Sequence, residues 1–265
     1  MKVLNREELQ VAEGVLLQHL PKSYKVYGFL YGINRNKPAT VEVMVDSWPD
    51  FKVIICRPHP KLAMEFMKKV TCFSTDEQAF RKVLTEENAI DWSTYFVIGE
   101  VSSDREVNNR YYTLVRLLYL PEVSCLQSPA TDSELESRIS SLKPFHASLV
   151  NQTWKFGGNQ QGYNNIRHLI SNFPSCCIMD EHGQPVSWIL VYHYGALGIL
   201  YTLPEHRGKG YAKVLISTMA KKLLAESHPV YCFIEEDNSL SYKLFKNLGF
   251  IEDPSYRAVW LEFNF

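Results

Sequence analysis

Arg207-Gly208-Lys209-Gly210-Tyr211-Ala212 is the stretch whose residue types and spacing point most directly to chemistry. Glycines at 208 and 210 let main-chain N–H groups close round an anion. A helix that starts just after them turns its unsatisfied N-terminal donors and the positive end of its dipole toward the same point. The ligand suited to such a turn is a phosphate or pyrophosphate. The spacing differs from a nucleotide P-loop, which needs Gly-Lys-Ser/Thr, and from a dinucleotide fold, which needs a third glycine three positions beyond Gly210. Two glycines also serve a plain strand-to-helix turn, and their spacing alone leaves both readings open.

The elements that must position this turn lie on either side of it. Residues 199–203 read as a short buried strand that Pro204 and Glu205 end. Beyond the turn, Ala212, Leu215, Ile216, Met219 and Leu223 fall on one helical face, apolar enough to dock on a sheet. Lys221 and Lys222 sit near the helix C-terminus, where the dipole favours cations.

The whole chain sets wider bounds. Its 265 residues, 46% hydrophobic and 22% charged, describe an ordinary globular chain of one large or two modest domains. A net charge of -1 argues against a general nucleic-acid or membrane-surface binder. Six cysteines without a Cys-x-x-Cys pair read as free thiols in a reducing compartment, with Cys176 and Cys177 as strand residues. Glu7 and Glu8 run against the acid-poor composition of a transit peptide. The uncharged run 186–203 approaches membrane-span length, but His193-Tyr194-Gly195 breaks it at a natural turn, so a buried hairpin is expected.

Taken in order, the pattern predicts a helix over 7–19, strands over 26–31, 41–45 and 53–56, and helices over 62–70 and 76–84. Residues 91–98 are ambiguous and 111–120 read as a strand. Trp48-Pro49-Asp50 reads as an aromatic anchor under a turn, and the first half offers no nucleophile–base pair or metal-ligand cluster. A polar stretch over 124–133 is the natural junction, giving domains 1–130 and 131–265. The second half then alternates: a strand over 138–142, helices over 144–153 and 160–172, and strands over 176–179 and 185–192. After the central strand, turn and helix come a strand over 230–234, a helix opened by Asn238 and capped by Gly249, and a closing strand pair at 250–251 and 257–263. In that helix Leu240, Leu244 and Leu248 are expected to face inward. This is a mixed α/β (α+β) sheet.

Two blocks carry a family resemblance. Arg207-x-x-Gly210-x-Ala212, preceded by Leu203-Pro204-Glu205-His206, resembles the acyl-CoA pyrophosphate loop of the GNAT superfamily of N-acyltransferases. Asn238-x-x-Ser241-x-x-Leu244-Phe245-x-x-Leu248-Gly249-Phe250 is similar to the superfamily's later helix beside the pantetheine arm. Trp154-Lys155-Phe156-Gly157-Gly158-Asn159, Phe173-Pro174-Ser175-Cys176-Cys177, Gly183-x-Pro185-Val186-x-Trp188 and Thr202-Leu203-Pro204-Glu205 narrow the likeness to the glycine N-acyltransferase family. In the first half, Tyr24-x-Val26-Tyr27-Gly28 and Val45-Asp46-Ser47-Trp48-Pro49-Asp50-Phe51 resemble that family's N-terminal domain. The similarity spans most of the chain and is nearer to the glycine N-acyltransferase-like branch than to the founding enzyme.

The resemblance implies a GNAT fold in 131–265, a smaller α/β domain in 1–130 for which a second GNAT-like fold is one option, and transfer of an acyl group from acyl-CoA to glycine or a similar small amino acid. It implies no metal, no nucleic-acid partner and no membrane span, and either a mitochondrial or a cytoplasmic address. Acyl length, oligomeric state and the acceptor beyond a glycine-like one stay open. On the family pattern, Leu200, Tyr201 and Thr202 hold the pantetheine and polarise the thioester; Gly208, Lys209, Gly210, Tyr211, Ala212 and Lys213 hold the pyrophosphate; Asn238 is a pantetheine contact and a helix N-cap. Trp154 to Asn159 are the candidate acceptor-side loop, with a core role for its aromatics as the alternative.

Proton transfer is where this chain departs from the pattern. The amine must lose a proton before attack, and the leaving thiolate needs one. The family's glutamate at the head of the central strand is Ala196 here, and the superfamily's tyrosine is Phe245. Glu235 at a strand end and His193 in a turn are the candidate bases, with a water or the substrate carboxylate as alternative relays. An acyl-CoA-binding protein with little turnover is the alternative function.

Overall fold

A computed structural model describes residues 1–59, 69–86, 89–90, 96–99 and 112–263. Contacts divide the chain into two compact units, Met1–Leu117 with Asp253–Phe265, and Leu118–Glu252.

The first unit opens with β1 (Lys2–Val3) and α1 (Arg6–Leu17), whose start is fixed by Asn5: its side chain accepts from the N–H of Glu7 and Glu8, and Glu8 reaches back to the Asn5 N–H. α2 (Tyr24–Asn34) follows where a strand over 26–31 is expected. Residues 24 to 32 of this helix are all buried, so its apolar run has no exposed face to mark a helical period. Asn36, at φ 57°, ends the helix in the left-handed conformation, and Lys37 N–H returns to Gly32 O. The expected strands appear as β2 (Val41–Val45) and β3 (Val53–Pro58). Trp48 stacks on Phe51 in the turn between them, while Asp46 Oδ1 accepts from Lys52 and Val53 N–H, so this turn is structural. Lys69 and Val70, expected at a helix end, belong instead to β4 (Lys69–Ser74); residues 62–68 lie outside the described residues. α3 (Glu77–Glu86), β5 (Phe96–Gly99) and β6 (Tyr112–Leu120) complete the run. Strand order in this unit is β1-β2-β3-β4-β5, with β4 and β5 parallel and the rest antiparallel.

The second unit places α4 (Ser133–Ser137), β7 (Ile139–Ser140), α5 (Ala147–Thr153) and α6 (Gln160–Asn172) before β8 (Ser175–Met179), β9 (Pro185–Val191) and β10 (Leu197–Thr202). Then come α7 (Tyr211–Ala225), β11 (Val230–Glu235), α8 (Ser239–Asn247) and β12 (Ile251–Phe263). β12 is one strand where a pair is expected, and it pairs with β5 through Trp260 to Phe263. Pro254 interrupts the sequence pattern but not the strand, since its fixed φ is near-extended and it has no N–H to leave unpaired. The sheet runs β6-β11-β10-β9-β8-β7.

Strand alternation sorts this sheet's side chains to two faces. Cys176, Ile178, Ile189 and Val191 join Leu215, Ile216, Met219 and Leu223 of α7; Cys177, Trp188 and Leu190 join Ala147, Val150, Ile166 and Leu169 of α5 and α6. Burial pushes the thiols of Cys176 and Cys177 up to about 11 and about 12, so neither is a thiolate at neutral pH. In α8, Leu248 and Phe245 face this core, but Leu240 is 82% exposed, because the helix rotates its first turn out to solvent. Gly249 caps α8 at φ 94°, and a Cβ there would meet the Cys125 carbonyl oxygen at 1.9 Å. Gly249→Ala should therefore cost at least about 2 kcal/mol, read as a lowered denaturant midpoint; an unchanged midpoint would mean that the chain near Cys125 yields freely.

Candidate active site

β10 carries the site. Its edge toward β9 is paired as far as Thr202 opposite Ser187, but among the described residues its pairing with parallel β11 is Leu197 opposite Cys232 alone. Beyond Leu197 the two strands part and no further β10–β11 pair forms among the described residues, while Tyr201 O is held on the β9 side by Ser187 Oγ at 3.1 Å. A bulge between Gly198 and Tyr201 accompanies the parting, with Ile199 in the left-handed region at φ 51°. A β-branched residue there is strained, and what holds it is packing. The extra residue switches faces: Leu197 and Leu200 pack beneath α7, while Ile199 and Tyr201 pack with α5 and α6. Gly198 permits a second close approach, since a Cβ there would lie 2.2 Å from Tyr192 Cε2.

At the far end of β10, Pro204 to His206 form a single 3-10 turn and Gly208 and Gly210 take φ 78° and 76°. Lys213 and Val214 N–H both return to Gly210 O, at 3.0 and 3.3 Å. The N–H groups of 208–212 find no acceptor among the described residues. Arg207 ties this loop to the strand: its Nε donates to Thr202 O at 3.1 Å, and its guanidinium lies 5.5 Å from the Tyr201 ring centre. Tyr211 is buried against the α7 core, whereas Lys209 and Lys213 are exposed on either side of the free donors. The result is a concentration of main-chain donors and two lysines at a helix N-terminus, matched to a pyrophosphate. Among the described residues no group of three or more His, Cys, Asp or Glu side chains is placed to hold a metal ion.

Glu235 ends β11 three positions past Cys232, the residue that pairs with Leu197 of β10. Its carboxylate accepts a short hydrogen bond from Lys155 Nζ, and this contact raises the Lys155 pKa above the usual lysine value. Lys155 stands on the Trp154 to Asn159 loop, which is built with few free parameters. Asn151 is 7% exposed; its Nδ2 donates to Asn159 O, and Gly158 N–H approaches both its side-chain and main-chain oxygens. A Cβ on Gly157 would fall 2.1 Å from Asn151 O, and one on Gly162 would fall 2.5 Å from Asn151 Oδ1. The Trp154 side chain hydrogen-bonds the Tyr192 phenol; burial raises the phenol's pKa, the hydrogen bond pulls it down and the Glu235 charge pushes it up.

The remaining expected residues sort clearly. Asn238 is the N-cap of α8, its Oδ1 accepting from Ser241 N–H at 3.1 Å, which leaves its Nδ2 as a spare donor on an exposed side chain. His193 sits in the turn before β10, ring to ring with Tyr194 at 5.1 Å. That is the opposite end of β10 from the glycine loop, about a strand length of 17 Å away. Ala196 is buried at the head of β10, and Phe245 is buried edge-on against Phe250, so neither position supplies a proton.

Residues 1–174 match the family described as aralkyl acyl-CoA:amino acid N-acyltransferase. The chain belongs to this family. Residues 177–261 also match FR47-like protein. The chain is similar to the glycine N-acyltransferase of Bos taurus, 29% identical over 95% of each chain. In fold it resembles a Drosophila protein at TM-score 0.79 and 17% identity over 99% of this chain and 98% of that one. It also resembles a putative GNAT acetyltransferase from Novosphingobium aromaticivorans at TM-score 0.56 and 12% identity over 91% and 96%. The second unit is thus a GNAT fold.

Sequence reasoning found the glycine turn and the start of α7 but missed the Lys155–Glu235 pair and the role of Asn151. The signal for the latter was present: asparagines at 151 and 159 bracket Gly157-Gly158, a composition suited to a turn closed by side-chain amides. Asn151→Ala should destabilise the unit by about 1–3 kcal/mol, because it removes a buried side chain whose amide closes the loop onto Asn159 O and Gly158 N–H, whereas Asn238→Ala at an exposed cap should cost about 1 kcal/mol. Chemical denaturation of the two variants checks the ranking; equal losses would refute it.

Proposed function

We propose that the protein transfers an acyl group from acyl-CoA to the amine of glycine or a similar small α-amino acid, giving an N-acyl amino acid and CoA. The observation that carries this reading is the parting of β10 from β11 directly upstream of a loop whose amides are unpaired. A pantetheine arm needs amide partners along an extended edge, and β10 past Leu197 has an edge that β11 leaves unpaired; a pyrophosphate needs converging N–H donors, and 208–212 offer those. Positioning both reactants on a rigid sheet edge supplies much of the rate. Glu235, the last residue of β11, is the group assigned to take the amine proton. Its place near Tyr192 and Lys155 favours it over His193, which lies at the other end of β10. Leu200, Tyr201 and Thr202 are assigned to the thioester and pantetheine, residues 208–213 to the pyrophosphate, and Asn238 Nδ2 to the pantetheine.

The family description, aralkyl acyl-CoA:amino acid N-acyltransferase, supports acyl-CoA as co-substrate, and the similarity to glycine N-acyltransferases supports glycine as acceptor. A mitochondrial address is proposed on the same likeness. No helix among the described residues is long and apolar enough to cross a membrane. The absence of proton-transfer side chains at Ala196 and Phe245 favours a second reading, an acyl-CoA binder with little turnover.

Thiol release from short, medium and aromatic acyl-CoAs, with glycine and other small amino acids as acceptors and mass detection of product, separates the two. Acceptor-dependent release with an N-acyl amino acid product is expected; acyl-CoA binding without release would favour the binder. Gly210→Glu should abolish acyl-CoA binding by placing charge and bulk at the pyrophosphate position, and wild-type affinity in that variant would defeat the loop assignment.

A further inference from the structure

We infer that Lys155 and Glu235 together form the recognition site for a zwitterionic α-amino acid, Lys155 receiving its carboxylate and Glu235 its amine. The inference rests on the acyl-transfer reading and names how the acceptor is selected. A free α-amino acid presents an anion and a cation on neighbouring atoms. The pair at the end of β11 presents a cation and an anion in direct contact, so an incoming zwitterion exchanges one ion pair for two complementary ones.

Fold stability does not account for this pair. The Lys155 side chain is 65% exposed and Glu235 is 19% exposed, and an ion pair with one partner in solvent contributes little to stability. Yet the loop that carries Lys155 is held by a buried asparagine with both amide atoms engaged, by two glycines that admit no Cβ, and by the Trp154–Tyr192 hydrogen bond. Such a support fixes where the ammonium stands. It stands on the carboxylate that ends β11, the strand from which β10 parts past Leu197.

The step balances without any further reactant. The bound ammonium gives one proton to Glu235, and the freed nitrogen lone pair forms a bond to the thioester carbon. The C–S bond breaks with its electron pair on sulfur, the second nitrogen proton passes to the thiolate, and Glu235 returns its proton to solvent. Lys155 stays paired with the acceptor carboxylate throughout, so the lysine charge is never left unmatched.

The test compares glycine with glycinamide, which keeps the amine and lacks the carboxylate, in the full-length wild type, Lys155→Met and Lys155→Arg. Wild type should favour glycine in kcat/KM. Lys155→Met should lower kcat/KM for glycine by about 10–100-fold, mainly through KM, with less than about threefold change for glycinamide and unaltered acyl-CoA affinity. Lys155→Arg should restore most of the preference. Equal losses for both acceptors in Lys155→Met, or an intact preference for glycine, would overturn the inference and leave the acyltransferase reading standing. A wild type that binds acyl-CoA but acylates neither acceptor would overturn both.

Discussion

The parting of β10 from β11 is the constraint on which the rest of the site depends. Two parallel strands that stayed paired would spend their main-chain groups on each other, as buried backbone almost always does. Here the ladder is Leu197 opposite Cys232, and the strands then separate while β10 keeps its other neighbour, β9, to Thr202. The cost includes a β-branched residue in a left-handed conformation, Ile199, held by packing on the α5 and α6 side. What the cost yields is an edge that β11 leaves unpaired past Leu197, on a strand that Trp188 and Tyr201 stack to stiffen.

Everything downstream inherits its position from that strand. Arg207 ties the glycine loop back to Thr202, so the free amides of 208–212 lie one turn beyond the open edge. On the neighbouring strand, Glu235 is the last residue, three positions past the Cys232 that pairs with Leu197. Across the gap, the loop anchored by Asn151 delivers Lys155 to the carboxylate. The glycine-loop amides, the parted β10 edge and the Lys155–Glu235 ion pair are thereby held on elements with cores of their own.

The order of elements in the second half was legible because each announces itself in local sequence. α6 has its cap at Asn159 and a clear period, α7 follows two glycines, and α8 runs from Asn238 to a glycine cap. The site's anion loop was legible for the same reason, since a positive φ demands glycine. What was not legible depends on partners distant in sequence. Lys155 and Glu235 are 80 residues apart, and neither has a neighbour that reveals the other. α2 misleads because it is buried on all sides, which removes the polar positions that distinguish a helix from a strand. Leu240 misleads because a leucine at helical spacing reads as core, yet the first turn of α8 faces solvent.

Amide hydrogen exchange with and without CoA tests the central claim most directly, because that claim concerns particular main-chain N–H groups. If the open edge and the loop form the acyl-CoA site, CoA should slow exchange in peptides covering 199–201 and 208–212, with little change in β8 or in the first unit. Tight binding of CoA with unchanged exchange at 208–212, and protection confined to other segments, would contradict the account.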